Sequence, residues 1–110
     1  MELFEATEAF SSLSQETRLK VFKLLVEYGG EGTTAGYIAE ELGIPANTLS
    51  FHLAHMSNAG LVTSKKSGRS ITYFANTRMI EKLIEYLQSN CCIREAKSKT
   101  KAKTCSARGC

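Results

Sequence analysis

No apolar run in the chain approaches the roughly 18 residues needed to span a bilayer. The start, Met1-Glu2-Leu3-Phe4-Glu5, is acidic where a secretory signal is basic and then apolar. Neither a membrane nor a secreted protein is expected, and the cytoplasm is the expected compartment. Cysteine is missing from the first 90 residues; all four cysteines sit at 91, 92, 105 and 110. A disulfide framework that staples a small core would spread its cysteines through that core, so reduced thiols or a metal site are expected instead. There is no C-x-x-C spacing, no strand-helix-strand pattern and no histidine beside the cysteines to act as a base, which argues against a thiol enzyme such as a small reductase. No internal repeat is present, and 110 residues leave no room for a catalytic domain beside a regulatory one.

What the chain does have is enough apolar material for one modest core, with 43% of residues hydrophobic and 23% charged. Its formal net charge of +3 is unevenly placed. Residues 1 to 92 carry eight basic and ten acidic side chains, a net of −2, whereas residues 93 to 110 carry six basic and one acidic, a net of +5. Any nucleic acid would have to meet a local positive patch, not bulk charge.

Leu3, Phe4, Ala6, Phe10 and Leu13 recur at helical spacing and predict a short first helix. From Gln15 to Tyr28 the apolar Leu19, Val21, Phe22, Leu24, Leu25, Val26 and Tyr28 cover most of a helical circumference, leaving Arg18, Lys20, Lys23 and Glu27 as the wet side. Ser14 is placed to cap this central helix and Gly29-Gly30 to end it. Thr33-Thr34 offers the next cap, and Ala35, Ile38, Ala39 and Leu42 line one face up to Gly43. Gly43-Ile44-Pro45 has room only for a tight turn, with Pro45 suited to the first position of a helix over about Ala46 to Ala59. Its inward stripe is Leu49, Leu53 and Met56. Leu61 to Lys66 and Ser70 to Ala75, rich in Val, Thr, Ile, Tyr and Phe, flank Ser67-Gly68-Arg69 and predict a β-hairpin. Asn76-Thr77 caps a last helix whose seam is Met79, Ile80, Leu83, Ile84 and Leu87. Residues 1–90 are thus expected as one folded domain, and residues 91–110 as a cysteine-containing basic tail without periodicity, flexible in the absence of a ligand.

Helix, turn, helix and then a hairpin is the order of a winged helix-turn-helix domain, mainly α with a β-hairpin wing (α+β), whose second helix enters the major groove. With Leu49, Leu53 and Met56 turned inward, the outer arc of that helix holds Asn47, Thr48, Ser50, Phe51, Ala54, His55 and Asn58. These are short polar groups and one ring, able to donate, accept or touch a thymine methyl. The alternative for this arc is an ordinary solvated helix face. His52 falls between Leu49 and Met56 on the wheel and reads as a partly buried, hydrogen-bonded structural residue. Lys65, Lys66 and Arg69 gather at the hairpin tip without an acidic neighbour, where they would meet phosphates or the minor groove, or else serve as a solubilising turn.

Two segments, Leu13-Ser14-Gln15-Glu16-Thr17-Arg18-Leu19-Lys20-Val21-Phe22-Lys23-Leu24-Leu25 and Thr48-Leu49-Ser50-Phe51-His52-Leu53-Ala54-His55-Met56, closely resemble the ArsR/SmtB family of bacterial metal-responsive repressors. Ala59-Gly60-Leu61-Val62, Gly68-Arg69 and Tyr73 continue the match, which covers roughly residues 5 to 90. The resemblance implies a homodimeric repressor, paired through its first and last helices, that holds double-stranded operator DNA when empty and releases it when an inducer binds. A two-fold dimer would read a pseudo-palindromic operator.

Many arsenic-sensing members carry a cysteine pair in the helix before the recognition helix, but Tyr37 to Gly43 contains none. Zinc and nickel sensors place histidine with carboxylates on the last helix, which here offers only Glu81 and Glu85, more simply read as partners of Arg78 and Lys82. Cys91 and Cys92 remain, with Cys105 and Cys110 beyond them. Adjacent thiols and a third on a tail suit a soft ion with few ligands. They look like the family branch in which arsenite or antimonite binds a vicinal pair after the last helix plus one further cysteine. That implies Cys91, Cys92 and Cys105 as ligands, with Cys110 as the substitute third, and no permanent cofactor. A pair alone would also take a monomethylated arsenical. The alternatives are a redox or persulfide switch on the same cysteines, a sensor of another thiophilic metal, or an architectural DNA protein with no ligand.

Overall fold

The computed structural model describes residues 1–95. Helix α1 (Leu3–Leu13) is followed almost directly by α2 (Glu16–Tyr28). The junction is capped differently from the sequence expectation. Ser14 closes α1, its hydroxyl donating to the Ser11 carbonyl at 2.9 Å, and it is the Gln15 side chain that accepts from the Arg18 amide at 2.9 Å to open α2. Val21, Phe22 and Leu25 form the buried face of α2, whereas Leu19 and Val26 are exposed, so this helix is buried on one side and not all round.

Gly29 ends α2 and a single 3-10 turn, Gly29–Glu31, leads into β1 (Thr33–Thr34). This short strand corrects the expectation of a lone hairpin. It pairs antiparallel with β3 (Ser70–Ala75), which also pairs with β2 (Val62–Ser67), giving a three-stranded sheet in the order β1-β3-β2. Gly32 makes the approach possible: its φ is +63°, and a Cβ there would lie 2.5 Å from the Tyr73 carbonyl oxygen and 2.7 Å from the Phe74 ring.

Thr34 doubles as the cap of α3 (Ala35–Leu42), accepting from the Tyr37 amide at 3.3 Å. Gly43 then takes the left-handed conformation that releases the chain into the tight turn. Pro45 occupies the cap position of α4 (Ala46–Asn58), one residue earlier than expected. The hairpin turns over Gly68-Arg69, with Ser67 opposite Ser70 and only the first turn residue at positive φ, the type II′ pattern. Helix α5 (Thr77–Gln88) follows, opened by Asn76.

The core is one cluster in which Val21, Leu25, Ile38, Leu49, Met56 and Leu61 are almost fully buried, drawing on α2, α3, α4 and the strand entry. Each such side chain stabilises the fold by about 1.5 to 3 kcal/mol through removal from water. The outer helices contribute little to it. On α1 the buried residues are Ala6, Ala9 and Ser12, and on α5 Met79 and Leu83, leaving Leu3, Phe4, Ile84 and Leu87 exposed.

Candidate nucleic-acid interface

Helix α4 is held by its inward face and open on the other. Leu49, His52, Leu53 and Met56 are buried, while Asn47, Thr48, Ser50, Phe51, Ala54 and Asn58 are exposed, the arc that helical periodicity assigns. The Asn47 side-chain oxygen accepts from the adjacent Thr48 amide at 2.9 Å. His55 stands apart from this set. It is half-buried, and its Nδ1 lies 3.1 Å from the Ser12 hydroxyl, so one ring nitrogen is already engaged inside the molecule.

The inward side carries a polar cluster of which the sequence reading anticipates only His52, buried and hydrogen-bonded as expected. Arg18, assigned by its charge to the wet face of α2, is only 9% exposed. Its Nε donates to the Ser12 carbonyl at 2.8 Å and its Nη1 donates to His52 Nδ1 at 3.1 Å. Among the described residues no carboxylate lies within ion-pair distance of it. Because a guanidinium can only donate, His52 must accept, which fixes the neutral tautomer with its proton on Nε2. Burial first, and then the charge of Arg18 and the neighbouring His55, hold His52 below the usual imidazole range. The spacing does contain a signal for Arg18, since residues 18, 22 and 25 fall on one helical face with Phe22 and Leu25. Ser12, Arg18, His52 and His55 together tie α1 and α2 to the floor of α4.

The hairpin places its cations beside the helix. Arg69 at the turn and Ser50 on α4 line the same cleft of about 490 Å³, with Thr34, Ala35 and Gly36 at the start of α3 on its third side. Lys65 and Lys66 lie opposite Thr72 and Ile71, one register step apart on β2, so they point to opposite faces of the hairpin. The root of the hairpin is pinned by Asn76. Its amide NH2 donates to the Gly60 carbonyl at 2.8 Å, its backbone N–H donates to the Leu61 carbonyl at 2.8 Å, and its side-chain oxygen accepts from the Met79 amide at 3.4 Å.

A helix, three-residue turn and second helix followed by a wing is shared with known proteins. The family model described as a helix-turn-helix domain matches residues 13–65, from the end of α1 into β2. An uncharacterized HTH-type transcriptional regulator of Methanocaldococcus jannaschii, MJ1325, is 34% identical over 77% of this chain and 94% of its own. The transcriptional repressor SdpR of Bacillus subtilis is 33% identical over 71% of this chain and 83% of its own. An ArsR-like transcriptional regulator from Rhodococcus sp. RHA1 superposes with a TM-score of 0.69 at 27% identity, covering 96% of this chain and 93% of that one. The chain belongs to the ArsR-type winged-helix transcriptional regulators. For an ArsR-type regulator the helix-turn-helix implies DNA as a partner, and the relatives are regulators of transcription and not enzymes. Among the described residues no helix is long and apolar enough to cross a membrane.

The second sequence-predicted site of this ArsR-type regulator lies at the other end of the described chain. After α5, residues 89 to 94 form successive turns, with the Cys91 amide donating to the Gln88 carbonyl at 3.1 Å and the Glu95 amide to the Cys92 carbonyl at 3.0 Å. Asn90 and Cys92 both adopt the left-handed conformation, at φ 62° and 63°, on either side of Cys91. This brings the two Sγ atoms to 3.3 Å. Cys92 is disulfide-bonded here, where the sequence reading expects reduced thiols or a metal site, so the pair would hold a soft ion only after that bond is reduced. Among the described residues no group of three or more histidines, cysteines and carboxylates is placed to hold a metal ion, and Cys105 and Cys110 lie outside the described residues.

Proposed function

We propose that the protein is a homodimeric repressor that grips a pseudo-palindromic operator through α4 and the wing and releases it when trivalent arsenic or antimony binds Cys91, Cys92 and Cys105, with Cys110 as the alternative third ligand. The observation that carries the DNA half is the shared cleft, which sets Ser50 of an uncharged, outward helix face against Arg69 of the wing. Asn47, Thr48, Ser50 and Phe51 are then the base-facing set, with the remaining ring nitrogen of His55 at their edge. Of the wing cations Lys65, Lys66 and Arg69, Arg69 and whichever lysine shares its face meet the phosphates or minor groove.

The adjacency of the Cys91 and Cys92 sulfurs, 3.3 Å apart, supports the inducer half for the reduced protein, together with the soft character of these donors once Cys92 is released from its disulfide. Exposed Leu3 and Phe4 on α1 and Ile84 and Leu87 on α5 support pairing through the first and last helices. The two helices are neighbours, because Phe4, Glu5 and Glu8 of α1 line one cleft with Met79 of α5. Binding at the end of α5 would order residues at that interface and change the angle between the two recognition helices. The ion must prefer the DNA-incompetent arrangement, and linkage then requires DNA to weaken ion binding by the same factor.

The test uses the full chain under reducing conditions and a duplex enriched by it from a random-sequence library. Arsenite is expected to weaken binding to that duplex by about 5- to 150-fold, the usual range of allosteric coupling. Cys91→Ser should keep the operator affinity and lose the arsenite response. If arsenite leaves the affinity of the reduced wild-type protein unchanged, the inducer assignment is wrong and the repressor assignment stands.

A further inference from the structure

Helix α4, Ala46–Asn58, contains no lysine, arginine, aspartate or glutamate. In the major groove, guanine is read chiefly by a bidentate Arg or Lys on O6 and N7, and cytosine by a carboxylate on N4. This helix can do neither. Its outer face can read adenine through the amides of Asn47 and Asn58, both exposed, and it carries one large apolar group. Phe51 is 65% exposed in the middle of the arc, and its ring meets the adjacent His52 ring edge-on, 5.7 Å between centroids. His52 is itself locked by Arg18, so it braces Phe51 from behind. The one apolar feature on the floor of the major groove is the 5-methyl group of thymine.

Resting on the reading of α4 as the recognition helix, we propose that Phe51 is a specificity-determining residue that packs on a thymine methyl group, so that each operator half-site has an A·T core identified by that methyl. The ligand chemistry is a 5-methylpyrimidine edge flanked by adenine, and not a guanine step.

Duplexes enriched by the reduced full chain from a random library are resynthesised with deoxyuridine in place of each thymine, which removes the methyl and nothing else. One position in each half-site should lose about fourfold in affinity, the worth of one buried methyl-sized group. Phe51→Ala should bind the thymine duplex more weakly and no longer distinguish thymine from uracil there. Phe51→Leu should restore the discrimination. The proposal is overturned if no thymine is methyl-sensitive, or if Phe51→Ala keeps the full methyl effect. Failure to enrich any duplex would instead overturn the DNA reading on which it rests.

Discussion

Arg18 is the residue whose surroundings most constrain the recognition helix. It gives one hydrogen bond to α1 and one to α4, both inside the molecule. Removing it strands the Ser12 carbonyl and His52 Nδ1, and a buried group left unsatisfied costs about 1 to 3 kcal/mol. Arg18→Met should lower the unfolding free energy by that amount, read from urea denaturation, and weaken operator binding. The same contact makes stability sensitive to pH. His52 is held below the ordinary imidazole value of about 6.5. As pH falls through that value the unfolded chain takes up a proton that the folded chain resists, so stability is full above it and declines below. Urea unfolding at pH 7.5 and 5.5 should give a lower midpoint at 5.5. His52→Asn, which offers an acceptor oxygen near the Nδ1 position and does not titrate, should flatten that difference; an unchanged slope would remove His52 as its source.

At the scale of elements, the wing carries the salt dependence. Each phosphate neutralised on B-DNA contributes about −0.9 to the slope of log affinity against log salt. Because Lys65 and Lys66 face opposite sides of β2, they are not equivalent. Arg69→Ala should weaken binding about equally for all sequences and make the slope shallower by about one. Of the two lysines only one should match it, and equal effects of Lys65→Ala and Lys66→Ala would contradict the register. The helices, the turn and the hairpin were legible because their periods are written by apolar residues a few positions apart. Strand β1 was not. It is two residues long and exists only by pairing with Thr72 and Tyr73, about forty positions away. Arg18 was misplaced because its charge was weighed above its spacing, although it shares a face with Phe22 and Leu25. His55 was placed on the outer arc by angle alone, and no helical wheel could reveal a buried serine on α1 facing it. The approach of the two sulfurs after α5 depends on left-handed Asn90 and Cys92, residue types that do not announce that conformation.

For the whole molecule, the apolar seams of α1 and α5 divide into a part that holds the chain together and a part left outside. Leu3, Phe4, Ile84 and Leu87 are each more than half exposed. Phe4→Glu combined with Leu87→Glu should shift the protein from dimer to monomer in sedimentation without lowering its thermal stability as a fold. Since two linked half-site contacts gain roughly 10²-fold or more over one, the monomer should bind a two-half-site duplex at least that much more weakly. A wild-type protein that sediments as a monomer at micromolar concentration would sink the paired arrangement.

Asn76 touches the chain at Gly60, Leu61 and Met79 through one short side chain and its own amide. It therefore rivets the base of the wing to the first turn of the last helix, so a tilt imposed at the far end of that helix would swing the cationic tip as a lever swings about its pin. If the proposed inducer acts at the end of that helix, its route from sulfur to phosphate need not pass through the core at all.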